Sequence, residues 1–289
     1  MIQITKKILK DIFKKKEEGK YYKKYESGLL LVIGGGEFYS GSPALSALAA
    51  LRTGCNVTQI LAPKRAADII ASFSPNLAAY PLDGNNLGEK HLPTLLSMTE
   101  SAKVLAKGNV AVVIGGGAGR SEETKKVLLE YLSKIDIPAV IDASAIMAVG
   151  DDPEVIRGKR FLITPQTFEF FVLTKREIYK LSHPEKQKAV LEEAKRLQTT
   201  ILLKEKPDII SDGKEIALNK AGTPYMSAGG TGDVLAGVCG ALLARGIEPF
   251  LAAQVGVYLT CKAGELAAGK LKDSLLATDV IEAIPEVLY

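Results

Sequence analysis

Ser227-Ala228-Gly229-Gly230-Thr231-Gly232-Asp233-Val234-Leu235-Ala236-Gly237 is the stretch on which the reading of this chain turns. Small, flexible residues run directly into an acid, and Asp233 opens an apolar helix expected to reach roughly Ala244. The first N–H groups of a helix lack intrahelical partners, and the helix dipole adds partial positive charge there. Glycines let a phosphate approach that backbone closely. Asp233 then stands beside the anion site, where a phosphoryl group and a hydroxyl can meet. That arrangement suits phosphoryl transfer, in which positioning and charge stabilisation carry most of the catalysis. Asp is also a good plain N-cap, so the context along the chain decides between the two.

Short apolar runs alternate with helical patterns. Leu29–Ile33, Val57–Leu61, Val110–Ile114, Ala139–Ile141, Phe161–Ile163 and Thr200–Lys204 read as buried strands. Pro43–Arg52, Ser121–Lys134 and Pro184–Leu197 read as helices between them. Wholly apolar strands separated by helices imply a parallel sheet covered on both faces. Asp212-Gly213, between Ile209-Ile210-Ser211 and Ile216-Ala217, signals a tight antiparallel hairpin. Beyond residue 233 the chain reads as helices over Val234–Ala244, Pro249–Ala267 and Asp279–Val287. Gly237 and Gly240 cost helix stability and make sense where neighbouring backbone packs closely. No linker or internal repeat interrupts the pattern. The expectation is one domain over residues 1–289, α/β in class, with three layers (helices, mostly parallel sheet, helices).

Of the 289 residues 47% are hydrophobic and 24% charged, an ordinary globular composition. No apolar run reaches the roughly 18 residues of a membrane span, and the Lys-rich start lacks a signal-peptide core, so a cytoplasmic location is expected. The formal net charge is +4, but residues 1–24 hold nine lysines against Asp11, Glu17 and Glu18. The basic excess is therefore local and does not mark a nucleic-acid-binding domain. Ile4, Ile8, Leu9, Ile12 and Phe13 lie between those lysines at helical spacing. They predict a basic amphipathic helix over 1–24 docked on the body rather than on a membrane. Cys55, Cys239 and Cys261 are dispersed and read as reduced core thiols. His91 and His183 offer no zinc-ligand or nucleophile-relay spacing.

Three strands end in glycines or an acid, where α/β sheets place ligands. Leu29–Ile33 runs into Gly34-Gly35-Gly36, Val110–Ile114 into Gly115-Gly116-Gly117-Ala118-Gly119-Arg120, and Val140-Ile141 into Asp142. Neither glycine cluster completes GxGxxG, and no GxxxxGK[ST] occurs, so dinucleotide-Rossmann and P-loop readings fall away. Phe161-Leu162-Ile163-Thr164-Pro165 carries a strand into a turn. Lys204 ends the run Thr200–Leu203 and can meet a phosphate as a mobile point charge.

These pieces together resemble the ribokinase-like superfamily, and within it the ADP-dependent NAD(P)H-hydrate dehydratase family, often labelled carbohydrate kinases. The resemblance runs from about Lys24 to the C-terminus. It rests on Leu31-Val32-Ile33-Gly34-Gly35, Tyr39-Ser40-Gly41-Ser42-Pro43, Ala49-Ala50-Leu51-Arg52-Thr53-Gly54, Val113-Ile114-Gly115, Val140-Ile141-Asp142-Ala143, Leu162-Ile163-Thr164-Pro165, Glu169 and Gly229–Gly237, in the family's order. It implies a ribokinase-like fold and a lyase that repairs hydrated NADH or NADPH. A phosphoryl group from ADP or ATP is transferred to the ring hydroxyl, and phosphate elimination restores NAD(P)H. On that pattern Asp233 deprotonates or orients the hydroxyl. Gly230, Thr231 and Gly232 form the phosphoryl loop, with the amides of Thr231 and Gly232 holding the group. Lys204, Glu205, Lys206, Pro207 and Asp208, with Gly232, line the adenine-nucleotide side. Ser42, Gly119, Gln166 and Asp233 contact the hydrate, Mg2+ accompanies the nucleotide, and a homo-oligomer such as a tetramer is implied.

The chain departs from the family in places. The family has His where Gln166 stands, Gly where Phe168 stands, Asp at Ser144, and Gly at Glu205. Glu205 puts negative charge near a phosphate site unless Lys206 or a metal offsets it, and Gln166 hydrogen-bonds without titrating near neutrality. These changes keep open a small-molecule kinase of the same fold, acting on a sugar or vitamin-precursor alcohol. A nucleotide-binding protein without turnover is disfavoured by the retention of Asp233.

Overall fold

The computed structural model describes residues 2–13 and 23–288. One ten-stranded sheet runs through it, built from β1 (Ile2–Gln3), β2 (Leu29–Ile33), β3 (Val57–Pro63), β4 (Ala78–Leu82), β5 (Val110–Ile114), β6 (Ala139–Ile141), β7 (Phe161–Ile163), β8 (Thr200–Leu203), β9 (Asp208–Ser211) and β10 (Ile216–Asn219). The spatial order is β1-β10-β9-β8-β7-β6-β5-β2-β3-β4. Pairing is parallel except at β8–β9 and β9–β10, where the Asp212-Gly213 hairpin reverses the chain. The helices are α1 (Lys7–Ile12), α2 (Gly41–Arg52), α3 (Lys64–Phe73), α4 (Leu92–Leu105), α5 (Glu122–Lys134), α6 (Ser144–Val149), α7 (Thr167–Thr174), α8 (His183–Leu197), α9 (Thr231–Ala244), α10 (Pro249–Leu271) and α11 (Ala277–Leu288).

Every residue of β2 and β5 is buried, because each strand has helices above and below it. Successive side chains point to opposite faces, so each strand feeds two cores. Leu30, Val32, Ala111 and Val113 join α2, α3, α9, α10 and α11 on one side. Leu29, Leu31, Ile33, Val110, Val112 and Ile114 join α4 through α8 on the other. The three-layer α/β expectation holds.

The chain grows outward from β2 to β3 and β4, then returns to add β5 through β8 on the opposite side. The switch point therefore lies between β2 and β5, in register as Ile33 beside Ile114. Sheets of this kind bind ligands in the crevice beyond such a point. Both strands end there in glycine: Gly35 N donates to Gly116 O at 2.8 Å. A Cβ on Gly34 would fall 2.3 Å from Gly116 O. The triplets are thus required by the close approach of two strand exits.

Three local expectations need correction. The acid does not open the last glycine-rich helix. Gly230, at φ +91°, is its N-cap and Asp233 its third residue. The left-handed turn at Gly230, where a Cβ would press on Leu45 and Ala277, starts the helix early. The 1–24 helix is six residues long among the described residues, preceded by β1, which lies parallel on β10. An open strand edge recruits extended chain, and that edge takes Ile2 and Gln3. The amphipathic docking itself holds: Ile4 and Leu9 are buried, with Ile8, Ile12 and Phe13 packed against the same core. Residues 14–22, with most of the remaining lysines, lie outside the described residues. β4, α3, α4, α6 and α7 were not singled out in the sequence. β4 is an edge strand containing Pro81 and is largely exposed, so its pattern is weak.

No helix among the described residues is long and apolar enough to cross a membrane. The three cysteines are free. His91 is buried, its Nδ1 accepting from Gly88 N and its Nε2 donating to Asp83 O, which explains it structurally.

Candidate functional site

Two cavities meet at the start of α9. The first, of about 570 Å³, is lined by Ser42, Gly119, Gln166, Asp142, Glu169 and Asp233 among others. The second, of about 510 Å³, is lined by Glu205, Lys206, Asp208, Leu235, Val257 and Cys261 among others. Lys204, Met226, Ser227, Thr231 and Gly232 face both. All the hydrate-side residues expected from the sequence line the first cavity. On the nucleotide side Lys204, Glu205, Lys206, Asp208 and Gly232 line the second. Pro207 is not among the residues lining it.

The α9 start is an anion site in its backbone. Thr231 N leans to Ala228 O at 3.4 Å, and Val234 N reaches Gly230 O. The amides of Gly232 and Asp233 meet no protein acceptor among the described residues. The free pair is therefore shifted one residue from the Thr231 and Gly232 amides expected. Thr231 Oγ1 donates to Met226 O at 2.8 Å, pinning the preceding turn. Gly237 lets α9 touch α2: a Cβ there would fall 2.1 Å from Ser46 O. Ser46 Oγ in turn donates to Asp233 O at 2.9 Å, so that contact sets the height of the acid.

Asp233 faces the first cavity over Gly116. Burial, then the Asp142 charge, pushes its carboxyl up to about 7, with the Ser42 hydroxyl and Lys204 acting the other way. A carboxyl titrating there can accept a proton near neutrality.

Lys204 is not the free phosphate-seeking cation expected from the sequence. Its Nζ lies 2.8 Å from Asp142 Oδ1 and 3.9 Å from Glu169 Oε2. Thr164 Oγ1 donates to the same Asp142 oxygen at 2.8 Å. Burial works against the Lys204 charge, but Asp142, Glu169 and Asp233 hold its ammonium above the ordinary value. Burial raises Glu169 in turn, against the pull of Lys204. Asp142 sits at the exit of β6, before Ala143 at φ 48°, a strained conformation for a residue with a Cβ. A Cβ on Gly115 would strike Asp142 O at 2.1 Å.

The charge of Glu205 is met, but not by Lys206. Lys186 Nζ from α8 lies 2.6 Å from Glu205 Oε1. Lys206 Nζ instead donates to the carbonyls of Lys220, Ala221 and Gly222. Asp208 accepts from Glu205 N and Asn219 Nδ2, and burial pushes its carboxyl up to about 6. Gln166 caps α7 through a box in which its N–H donates to Glu169 Oε2 at 2.8 Å. Ser144 is the first residue of α6 and lines the first cavity, leaving Asp142 as the acid at the β6 exit. Sequence reasoning missed Lys186 and Thr167, which carry no motif and reach the site only through packing of α7 and α8.

No group of three or more acidic, thiol or imidazole side chains among the described residues converges to hold a metal unaided. Yet Asp142, Glu169 and Asp233 gather around Lys204 in the first cavity, where Arg120 also acts on Glu169. That donor set fits a Mg2+ bound largely through phosphate oxygens and water.

The family model described as NAD(P)H-hydrate dehydratase (Carb_kinase) matches residues 30–286. The chain is 37% identical over 271 residues to a bifunctional NAD(P)H-hydrate repair enzyme of Hyperthermus butylicus, covering 92% of this chain and 49% of that protein. It is 34% identical over 273 residues to an ADP-dependent (S)-NAD(P)H-hydrate dehydratase of Cenarchaeum symbiosum, covering 92% of this chain and 90% of that protein. The chain thus spans about half the length of the bifunctional relatives it matches and most of the single-function one. Among solved structures, the ADP/ATP-dependent NAD(P)H-hydrate dehydratase of Bacillus subtilis, co-crystallised with ATP/Mg2+, superposes with a TM-score of 0.77 at 22% identity, covering 98% of this chain and 96% of that one. That likeness establishes a shared fold, in agreement with the ten-stranded sheet. The motif order, the acid at the α9 start and the match over residues 30–286 converge: the chain belongs to the NAD(P)H-hydrate dehydratase family.

Proposed function

We propose that this chain uses the terminal phosphoryl group of ADP or ATP to remove the hydroxyl from hydrated NADH or NADPH. The observation that carries this reading is the placement of Asp233 in the first cavity, next to Thr231 and Gly232, which face both cavities, with the Gly232 and Asp233 amides free. The hydrate occupies the cavity of Ser42, Gly119 and Gln166. The nucleotide occupies that of Glu205, Lys206 and Asp208, and its phosphates reach Gly230, Thr231 and Gly232.

Asp233, as carboxylate, takes the proton of the ring hydroxyl. The oxygen attacks the terminal phosphorus, and the bond to the departing nucleotide breaks, releasing AMP from ADP or ADP from ATP. The amides at the α9 start hold the transferring group, where donors are aimed at developing charge. The ring C–O bond then breaks, phosphate leaves with the electron pair, and loss of a proton from the neighbouring ring carbon restores the double bond. Mg2+ would be held by phosphate oxygens and water, with Asp142 and Glu169 as the carboxylates facing it from the first cavity, and would supply charge neutralisation. Lys204 lies between those two carboxylates and supplies a counter-charge to both. A cytoplasmic setting fits a chain whose three cysteines are all unpaired.

The Cenarchaeum relative is named as ADP-dependent and the Bacillus structure was obtained with ATP/Mg2+, so both donors occur among similar proteins. Phosphorylation of a small alcohol would use only the first half of this chemistry. One reason for considering it was the charge of Glu205, which Lys186 neutralises. The test is to mix the protein with hydrated NADH, Mg2+ and either nucleotide and follow the absorbance of reduced nicotinamide. Absence of recovery with both nucleotides overturns the reading, and phosphorylation of an alcohol panel would then favour the kinase.

A further inference from the structure

We infer that Glu205 and Thr167 form a bracket that couples nucleotide binding to the geometry of the hydrate cavity. This rests on the two-cavity reading above. The exits of β7 and β8 lie side by side, one carrying the hydrate-side residues Gln166 and Glu169 and the other the nucleotide-side residues Lys204 and Glu205. Three links join them. Lys204 N donates to Pro165 O at 2.9 Å. Lys204 Nζ faces Glu169 Oε2 at 3.9 Å. Thr167 Oγ1 donates to Glu205 Oε1 at 3.1 Å. Only the third runs through side chains lying beyond the acid cluster, and it is braced from behind by Lys186 Nζ, 2.6 Å from the same oxygen.

The bracket is largely shielded from water: the Lys186 and Glu205 side chains are 15% and 17% exposed. Solvent exclusion strengthens a hydrogen bond in such a place relative to one in water. Glu205 also faces the nucleotide cavity and donates its backbone N–H to Asp208 Oδ1 at 3.1 Å. A nucleotide that settles the Lys204–Asp208 loop therefore settles the first turn of α7, whose Glu169 is held by Gln166 N. Glu205 and Thr167 are positioning residues, acting on the hydrate through Gln166 and Glu169. This gives the acid at position 205 a task that a glycine there cannot perform.

The experiment measures NADH affinity, as a stand-in for the hydrate, by calorimetry with and without saturating ADP. It uses the wild-type chain, Thr167→Val, Thr167→Ser and Glu205→Gly. In the wild type ADP tightens NADH binding by a factor on the order of ten, within the usual range of such couplings. The factor falls to about one in Thr167→Val and Glu205→Gly and returns in Thr167→Ser, while ADP alone still binds Thr167→Val and Thr167→Ser. A wild-type factor of one, or an unchanged factor in Thr167→Val, overturns the inference. Restoration of reduced-nicotinamide absorbance by the wild type tests the dehydratase reading separately, so the two can fail independently.

Discussion

Asp233 Oδ1 lies 2.8 Å from the point that a Cβ on Gly116 would occupy. The acid at the start of α9 is therefore seated directly against the β5 exit, across the sheet's switch point. Gly116 has no left-handed backbone requirement, so Gly116→Ala should fold. The added methyl displaces the flexible carboxylate and presses on Ser42. A displacement of about 1 Å at a reacting group costs roughly 100-fold in rate. Steady-state kinetics should show that loss in kcat, with ADP affinity by calorimetry nearly unchanged.

The pH dependence follows from the same acid. Its carboxyl is pushed up to about 7, so the base form grows as pH rises, and turnover should climb through about pH 7 and then level. Stability runs the other way. Between about pH 4 and 7 the folded chain holds a proton that the unfolded chain has released, so the contribution of this group is full below that window and lost above it. Asp233→Asn should abolish turnover while leaving nucleotide affinity largely intact. Thermal melts should show the variant close to wild type below about pH 4 and progressively more stable up to pH 8, by about 2–4 °C for each kcal/mol of relief. A near-normal rate in Asp233→Asn would reduce the acid to a structural residue.

Lys204→Met tests the charge balance. Removing one partner of a buried ion pair costs about 3–5 kcal/mol because the other charge stays behind. Here Asp142 and Glu169 are both left, so the urea midpoint should fall and turnover should be lost. Adding Asp142→Asn to Lys204→Met should recover part of the midpoint but none of the rate. Equal midpoints for the single and double variants would show that Asp142 gains nothing from the lysine.

Gly237→Ala probes the helix contact under the site. The new methyl would meet Ser46 O, a backbone atom, at 2.1 Å, so α2 and α9 must separate. Overpacking of this kind costs about 1–3 kcal/mol. Separation also strains the Ser46 Oγ bond to Asp233 O. Both the melting temperature and kcat should fall together, whereas Gly269→Ala, with open space around its position in α10, should leave kcat unchanged and not lower the melting temperature.

Much of the frame was legible in the residues. β2, β5, β6 and β7 end where their apolar runs end, and Ser121 caps α5 by accepting from Thr124 N, as its position before Glu122 and Glu123 suggested. The edge strand β4 was not legible, because a half-exposed strand containing proline has no clean period. The start of α9 was misplaced by three residues because an Asp ahead of an apolar run looks like a cap, while the left-handed turn at Gly230 supplies the cap without a side chain. Ser42, Gly119, Gln166 and Asp233 were picked out through motif order, and they line one cavity. Lys186 was not, since nothing local ties it to Glu205, 19 residues away.

The sequence alone determined the parallel core, the hairpin and a glycine-rich helix start carrying an acid. These are properties of short windows, where periodicity, backbone freedom and turn chemistry act between neighbours. The tertiary structure decided what those residues can do. Lys204 and Asp142 are 62 residues apart, and their 2.8 Å contact turned an expected phosphate-seeking lysine into the counter-charge of a buried acid pair. The value of about 7 at Asp233 depends on burial and on Asp142, and the harmlessness of Glu205 depends on Lys186. Electrostatic energies follow distance and solvent exclusion, and only the packed fold sets either of them.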